Sequence, residues 1–276
     1  MAYVVHGATG AQGAPLKNRL LVTGHDVIGS GGEGSLRLDS VESLTASYRG
    51  ADGVFVHLPM GSEASRLRFA ENIVAAVKAG KPKRVVISTS GTIVDEPGTP
   101  LQTPDDSALA LLLRGIADSG VSHAVVATRL YLENLLLPMV LEPAKSEGVL
   151  RYALRADYPV SWSSHLDVAE VAERLLTDHG VTGVVGVGQL PGLVGADLAA
   201  AFATHLDRPV SFEAATPEDF GDLLRPMFGP AADPVVELYR ALAQAKANVI
   251  DERTSAQRLL GLKPRTVDQW LAEISQ

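Results

Sequence analysis

Three glycines spaced three residues apart, Gly7, Gly10 and Gly13, follow an apolar run near the start of the chain and precede a helical pattern. In a dinucleotide site, one such glycine makes the turn, one lets the backbone approach the pyrophosphate, and one lets the helix pack on the strand. The amide groups and the positive end of the helix dipole would face the anion. The spacing predicts a dinucleotide site, with a purely structural turn as the alternative. Its contacts would come from Gly7, Ala8, Thr9, Gly10, Gln12 and Gly13.

Other polar or turn-forming residues stand where later strands are predicted to end. Open parallel sheets bind ligands outside the carboxyl ends of their strands. On the cofactor side these positions are Ser30, Leu58 and Pro59. On the reacting side they are Ser88, Tyr131 and Asn134, joined by His165 just ahead of a predicted helix. Hydroxyl and amide groups could orient a carbonyl, and a histidine could protonate a reduced product near neutral pH. A structural role is the alternative for each.

Several kinds of chemistry find no support in the sequence. The chain has no cysteine, which excludes disulfides, thiol nucleophiles and thiolate metal sites. Histidines and carboxylates show no metal-ligand spacing, so we predict no metal site. A serine-hydrolase elbow, Gly-x-Ser-x-Gly, is also lacking. His57 lies in an otherwise apolar strand, a setting more typical of a core or edge residue than of a catalyst.

The elements that must position these residues alternate between strands and helices through the first half of the chain, which predicts parallel strands joined by crossover helices. The predicted strands are residues 3–6, 26–28, 36–39, 53–58, 84–88 and 122–128. The predicted helices are residues 11–22, 41–48, 63–79, 105–119 and 131–141, the last closed by Pro143. A glycine-rich link, residues 29–34, replaces one crossover helix, and residues 95–106 are the candidate for a mobile flap.

Beyond residue 145 the alternation weakens, and short strands are interleaved with helices. Those strands are predicted at residues 148–154, 183–187 and 210–213, and the helices at 167–179, 195–206, 217–224, 234–247 and 266–274. The predicted fold class is α/β, a Rossmann-type doubly wound parallel sheet with a smaller C-terminal α/β lobe. Residues 1–145 would form the nucleotide-binding domain and residues 146–276 the substrate-side lobe, with the chain partly interleaved between them.

Charge and composition limit the partners. Lys and Arg number 24 against 32 Asp and Glu, a net charge of −8, which argues against direct nucleic-acid binding and against an anionic membrane surface. The longest apolar runs, residues 108–113 and 135–141, are far shorter than the roughly 20 residues that span a bilayer. Because the glycine motif starts so near Met1, no signal peptide is predicted, and we expect a cytoplasmic monomer or homodimer that acts on a small molecule.

Six segments together resemble the NmrA-like branch of the atypical short-chain dehydrogenase/reductases. They are residues 7–13, 50–55, 119–120 with 128–135, 167–172, 207–210 and 261–266. The resemblance implies an NAD(P)-binding Rossmann domain with a small C-terminal lobe, and a nicotinamide pocket lined by the stretch that holds Tyr131 and Asn134. Members of the family divide between reductases of quinones or dye-like conjugated molecules and non-catalytic sensors of nicotinamide redox state.

Three positions depart from the family's pattern. The arginine that NADP-preferring members place after the second strand is replaced by glycine and serine, and Glu33 is only a possible partner for free ribose hydroxyls, so the cofactor is NADPH or NADH. None of the six tyrosines is followed four residues later by lysine, so the Tyr/Lys proton-delivery pair is absent. Residues 107–118 also lack the lysine that relatives often carry near the nicotinamide.

The first functional hypothesis is an NAD(P)H-dependent reductase of a small conjugated carbonyl or quinone-like molecule. A quinone acceptor is consistent with the absence of the Tyr/Lys proton-delivery pair, because water can protonate the hydroquinone anion that forms. Two alternatives stay open: a non-catalytic NAD(P)-sensing regulatory protein, and a non-redox cyclase or isomerase that reuses the pocket.

Overall fold

Six parallel strands form the central sheet of the computed structural model, which describes residues 1–29 and 36–275. The eight strands of the described chain are β1 (Ala2–Val5), β2 (Asp26–Gly29), β3 (Gly53–Val56), β4 (Val85–Ser88), β5 (His123–Thr128), β6 (Val149–Tyr152), β7 (Gly183–Val187) and β8 (Ser211–Ala214). The central sheet has the order β2-β1-β3-β4-β5-β7, and β6 pairs with β8 in a separate parallel pair. The predicted α/β, doubly wound fold is confirmed.

Eleven α-helices connect and cover the strands of the described chain. They are α1 (Gly13–Val22), α2 (Val41–Tyr48), α3 (Glu63–Gly80), α4 (Ala108–Ala117), α5 (Pro138–Ser146), α6 (His165–Thr177), α7 (Gly195–Leu206), α8 (Pro217–Phe228), α9 (Asp233–Gln244), α10 (Ala256–Leu260) and α11 (Val267–Ile274). Short 3-10 turns at Leu132–Leu136, Gly229–Ala232 and Glu252–Thr254 complete the connections.

Both faces of the central sheet are buried, as the apolar composition of its strands requires. Side chains alternate along each strand, so that in β3 Val54 and Val56 face α2, α3 and α4, whereas Phe55 faces α1 and α6. The inner strands therefore have a core on both sides, whereas Ile28 of the edge strand β2 is exposed. The carboxyl ends of the strands are left as the place where loops can form a site.

The later half of the chain contributes to the central sheet as well as to a lobe beside it. Strand β7 pairs with β5 along its whole length, and α6 supplies much of the core that covers one sheet face. A separate core, with Trp162 and Trp270 fully buried, joins β6, α5, α7, α8, α9 and α11 into the lobe. The division of the chain at residue 145 stays a prediction.

Two predicted elements are wrong. Residues 36–39 form a turn instead of a strand, since Asn72 donates to the carbonyl of Leu38 and Ser40 turns back to cap α2. Residues 131–141 are not one helix: a 3-10 turn precedes α5, which starts at Pro138, where the missing amide hydrogen of proline costs nothing. Pro143 lies inside α5 and does not end it.

Neither a membrane-spanning helix nor a metal-binding group of side chains is present among residues 1–29 and 36–275. None of the helices there combines the length and the apolar content that crossing a bilayer demands. Nor do three His, Asp or Glu side chains of those residues gather as a metal ion requires.

Candidate functional site

The glycine loop lies between β1 and α1 and leaves no room for side chains at two of its three glycines. Gly7 has φ +59°, and a Cβ there would lie 2.6 Å from Nε2 of His57. At Gly13 a Cβ would lie 2.2 Å from the carbonyl oxygen of Gly7. Gly10 is less crowded, because a Cβ there would lie 3.3 Å from the carbonyl oxygen of Gly7. The backbone amide of Gly10 donates to that oxygen at 2.7 Å. Packing within the protein therefore requires glycine at Gly7 and Gly13.

Gln12 ties this loop to the end of β4. Its Oε1 accepts the hydroxyl hydrogen of Ser88 at 2.6 Å, and its Nε2 donates to Oγ of Ser90 at 3.0 Å. Ser88 in turn accepts the backbone amide of Ser90 at 3.2 Å. The hydroxyl hydrogen of Ser88 is therefore used within the protein, which gives Ser88 a part in holding Gln12.

A cavity of about 610 Å³ opens beside this network, between the carboxyl edge of the central sheet and the lobe. It brings together six of the thirteen site residues predicted from the sequence: Gln12, Leu58, Pro59, Tyr131, Asn134 and His165 all line it. Ser88 stands behind Gln12 and is buried. Ser30 and Glu33 lie outside the described residues. The volume suits a small ligand, since such sites commonly enclose about 300 to 1,000 Å³.

A directed chain of hydrogen bonds ends at the hydroxyl of Tyr131. The backbone amide of Gly91 donates to Oγ1 of Thr128 at 2.9 Å, so the Thr128 hydroxyl directs its own hydrogen to the Tyr131 oxygen, also at 2.9 Å. Burial raises the pKa of Tyr131 to about 12, while the neighbouring hydroxyls of Thr128 and Ser88 act to lower it. Tyr131 thus stays protonated at neutral pH and can donate its hydrogen to a ligand.

His165 packs against Tyr131 and is held by a carboxylate that the sequence did not single out. The two rings are 4.5 Å apart between centroids, at an angle of 48°. Oε1 of Glu133 accepts the backbone amide of His165 at 2.9 Å and lies 3.7 Å from its Nδ1, and Trp270 donates to the same oxygen at 3.3 Å. Burial is the main cause that lowers the pKa of His165, to about 4, and the nearby His57 adds to the effect. The imidazole of His165 is therefore neutral at neutral pH.

Arg129 anchors the segment that the sequence predicted as a flap. Its guanidinium is 1% exposed, and Nη2 lies 3.0 Å from Asp95 and 3.2 Å from Glu96. Two apolar residues near this anchor, Ile93 and Leu101, complete the cavity wall. The mobility of the segment stays a prediction. Arg129 belongs to the stretch 128–135 that carries the family resemblance. The lobe residues of the wall gave no sequence signal, because ordinary core positions show the same residue types.

A second neutral histidine lies under the glycine loop and predicts acid sensitivity. His6 is buried, with Nε2 2.7 Å from the hydroxyl of Tyr48, and burial, followed by His57, lowers its pKa to about 3. In the unfolded chain the pKa of histidine is about 6.5. The unfolded chain therefore binds more protons than the folded chain between pH ~6.5 and ~3. Stability should fall as the pH falls through this window, by up to roughly 1.4 kcal/mol per pH unit for each such histidine.

Urea unfolding at pH 7, 6 and 5 measures this dependence. His6→Gln keeps a polar group near Tyr48 but cannot take up the proton, so its stability should fall less steeply than that of the wild type. His205→Gln, at an exposed position, should follow the wild type. Equal slopes for wild type and His6→Gln would contradict the prediction.

The sequence model of the NmrA-like family matches residues 35–271 of this chain. The chain belongs to this family. The resemblance found in the sequence is thereby confirmed, and the departures at the tyrosine and lysine positions are departures within the NmrA-like family. No protein of curated function matches the sequence.

Solved structures share the fold at low sequence identity. A nucleoside-diphosphate-sugar epimerase of Staphylococcus aureus has TM-score 0.77 and 17% identity over 98% of this chain and 99% of that one. The NADPH-dependent quinone oxidoreductase of Escherichia coli, solved with NADPH, has TM-score 0.74 and 18% identity over 99% of this chain and 100% of that one. The Citrobacter sp. triphenylmethane reductase, solved with NADP(H), has TM-score 0.74 and 16% identity over 99% and 100%.

Proposed function

We propose that the protein binds NADPH or NADH along the glycine loop and reduces a small conjugated carbonyl or quinone-like molecule in the adjoining cavity. The observation that carries the proposal is the continuity of the two sites: Gln12 belongs to the loop and also lines the cavity, whose wall includes the hydrogen-bond donor Tyr131. Two structural relatives, the Escherichia coli quinone oxidoreductase and the Citrobacter reductase, were solved with NADPH or NADP(H), which supports the choice of cofactor.

The residues present fit a dinucleotide. A Cβ at Gly7 would collide with His57 and one at Gly13 with the carbonyl oxygen of Gly7, so this loop requires glycine at both positions. Its backbone stands at the start of α1, where the helix dipole favours an anion. The pyrophosphate would be held by residues 7–13, with Leu58 and Pro59 beside the sugar. The bound cofactor would supply the hydride.

The chain's own side chains would position the acceptor and exclude water. Tyr131 donates its hydrogen to the acceptor oxygen, because the Thr128 bond leaves that hydrogen unused. Asn134 lines the same wall and can orient the acceptor through its amide. His165, neutral and packed on Tyr131, limits the space beside the reacting atoms. No strong proton donor is needed for a quinone, since water can protonate the hydroquinone anion once it leaves the site.

Loss of either orienting hydrogen bond should slow the reaction. Tyr131→Phe and Asn134→Ala should each lower kcat/KM by about 5- to 150-fold, which corresponds to roughly 1 to 3 kcal/mol of transition-state stabilisation. The affinity for NADPH should change much less. The measurement is the consumption of NADPH or NADH with a panel of quinones and enones, and Tyr158→Phe, which removes a hydroxyl outside the cavity, is the matched control.

The same panel tests the proposed function. Turnover by the wild type supports it, and turnover that survives both substitutions unchanged keeps the reductase but removes Tyr131 and Asn134 from its site. Tight cofactor binding, followed by nicotinamide fluorescence, with no turnover on any acceptor would contradict the reductase and favour a sensor. No cofactor binding at all would favour a non-redox cyclase or isomerase.

A further inference from the structure

One face of α8 lines the cavity with a row of apolar side chains that the proposed reaction does not use. Phe220, Leu224 and Phe228 follow one another at four-residue spacing, so they lie on the same face of the helix, and all three line the cavity. From Phe220 to Phe228 the row is roughly 12 Å long, because an α-helix rises about 1.5 Å per residue. Phe220 and Leu224 are buried, whereas Phe228 is 40% exposed. The row therefore leads from the interior of the lobe toward solvent.

Aromatic contacts close the inner end of this row. The ring of Phe220 lies 5.3 Å from that of Tyr239 in α9 and 5.2 Å from that of Tyr152 in β6, measured between centroids. Val235 and Leu238 of α9 are half-buried and line the same cavity. A ligand that lies between the two helices can therefore extend only outward, along Leu224 and Phe228.

A second exposed apolar side chain stands at the cavity, on the side of the central sheet. Met60, in the connection between β3 and α3, lines the cavity and is 74% exposed. Single exposed apolar side chains are ordinary on protein surfaces, but Met60 and Phe228 both belong to a cavity wall. Apolar surface of this kind gains when a ligand removes it from water, and the unbranched methionine side chain adapts to the shape of what it covers.

The charges and polar groups of the wall determine what kind of ligand can follow the row. Among the described residues that line the cavity, Arg129 is the one with a permanent charge, and both Asp95 and Glu96 already face its guanidinium. A phosphate or a carboxylate would therefore find no unpaired cation. Outward of the contact between Phe220 and Tyr239, the α8 and α9 residues of the wall are all apolar: Leu224, Phe228, Pro234, Val235 and Leu238.

We propose that the acceptor carries an uncharged apolar chain, which lies along α8 from Leu224 to Phe228 and emerges beside Met60. A narrow chain fits this row better than the surface of a partner protein, because the row begins at side chains that are already buried. The inference rests on the proposed function, since the chain would belong to the molecule whose carbonyl Tyr131 binds. It adds that the substrates are lipid-like molecules, and that acceptors with a sugar or a phosphate in place of the chain bind poorly.

Calorimetric titration with a series of phenyl ketones tests the proposal. The probes are acetophenone, butyrophenone, hexanophenone and octanophenone, which share a conjugated carbonyl and differ in the length of the chain. They are titrated into wild type saturated with NADP⁺ or NAD⁺, so that no reduction takes place. The affinity should rise by about 2- to 4-fold for each methylene that contacts the row. An affinity that does not rise beyond that for acetophenone would overturn the proposal.

Two variants at exposed positions locate the chain. Phe228→Ser and Met60→Ser should each lower the affinity for octanophenone by about 3- to 10-fold and change that for acetophenone by less than about twofold. Met227→Ser is the matched control, because Met227 is the neighbour of Phe228 in α8, is also exposed and does not line the cavity. It should bind both ketones as the wild type does. Unchanged binding of octanophenone by both test variants, or an equal loss in Met227→Ser, would contradict the placement of the chain and overturn the proposal.

Nicotinamide fluorescence on the same preparations reports cofactor binding separately. A protein that binds NADPH or NADH but gains nothing from chain length overturns this inference and leaves the proposed function standing. A protein that binds neither cofactor contradicts the proposed function, and this inference with it.

Discussion

Gly10→Val is expected to lose NADPH binding, by roughly a hundredfold or more, while the protein remains folded. The side chain would stand above the turn where the phosphates must approach the amides of the loop. Gly10 is the best of the three glycines for this test, because a Cβ there would lie 3.3 Å from the nearest backbone oxygen, against 2.2 Å at Gly13. The positive φ of Gly7 adds backbone strain to any substitution at that residue. Titration followed by nicotinamide fluorescence measures the loss.

Gly180→Val is the matched control, since Gly180 is exposed in the connection after α6 and does not line the cavity. It should bind NADPH as the wild type does. Thermal unfolding of both variants checks that they fold. Wild-type affinity in a folded Gly10→Val protein would remove the dinucleotide site, and with it the proposed function.

Arg84→Met is expected to destabilise the fold by about 3 kcal/mol, because roughly 1 to 3 kcal/mol is lost for each buried acceptor left unpaired and part is regained by no longer burying a cation. The Arg84 side chain is fully buried where β4 begins. Its Nε donates to the carbonyl of Leu175 at 3.0 Å, Nη1 donates to Ser122 at 2.8 Å, and Nη2 donates to the carbonyl of Val181. It thus holds the last turn of α6 and the approach to β7 against the sheet.

Urea unfolding at pH 7 measures the effect. Arg84→Lys keeps the charge but cannot reach three acceptors at once, so it should fall between wild type and Arg84→Met. Arg49→Met, at an exposed position, should change stability by no more than about 0.5 kcal/mol. Arg84→Met as stable as Arg49→Met would show that the buried hydrogen bonds contribute nothing net.

Local pattern predicted the fold wherever one element decided its own structure. The strands around Val54, Val86 and Val126 were found because apolar runs between turn residues leave few alternatives. Two predicted elements were wrong, one because a neighbouring side chain sets the structure and one because a local signal was overlooked. Residues 36–39 carry a strand-like apolar alternation, yet the Asn72 side chain from α3 binds that segment as a turn. Pro138 marked a helix start that was missed because the apolar pattern runs on through it.

The site was predicted in part for a related reason. Tyr131 and Asn134 were predicted because sites in parallel sheets lie beyond strand ends, and His165 was predicted from its place just ahead of a helix. The structure brings all three to one cavity. Their roles stay predictions. The aromatic residues of the cavity wall, Tyr152, Phe220 and Tyr239, could not be predicted from the sequence. They are separated along the chain by lobe elements whose packing has no short-range pattern. Glu133 was missed because its partner Trp270 lies in the last helix.

Because β7 and α6 come late in the chain, the sheet cannot be completed during synthesis until Val187 has left the ribosome. Until then β5 presents an open strand edge, and the sheet face around Tyr3 and Phe55 lacks the part of its cover that α6 supplies. At ordinary translation speeds this exposed state lasts on the order of seconds. A nascent chain stalled before α6 should therefore bind chaperones that recognise apolar surface, and a chain released there should aggregate.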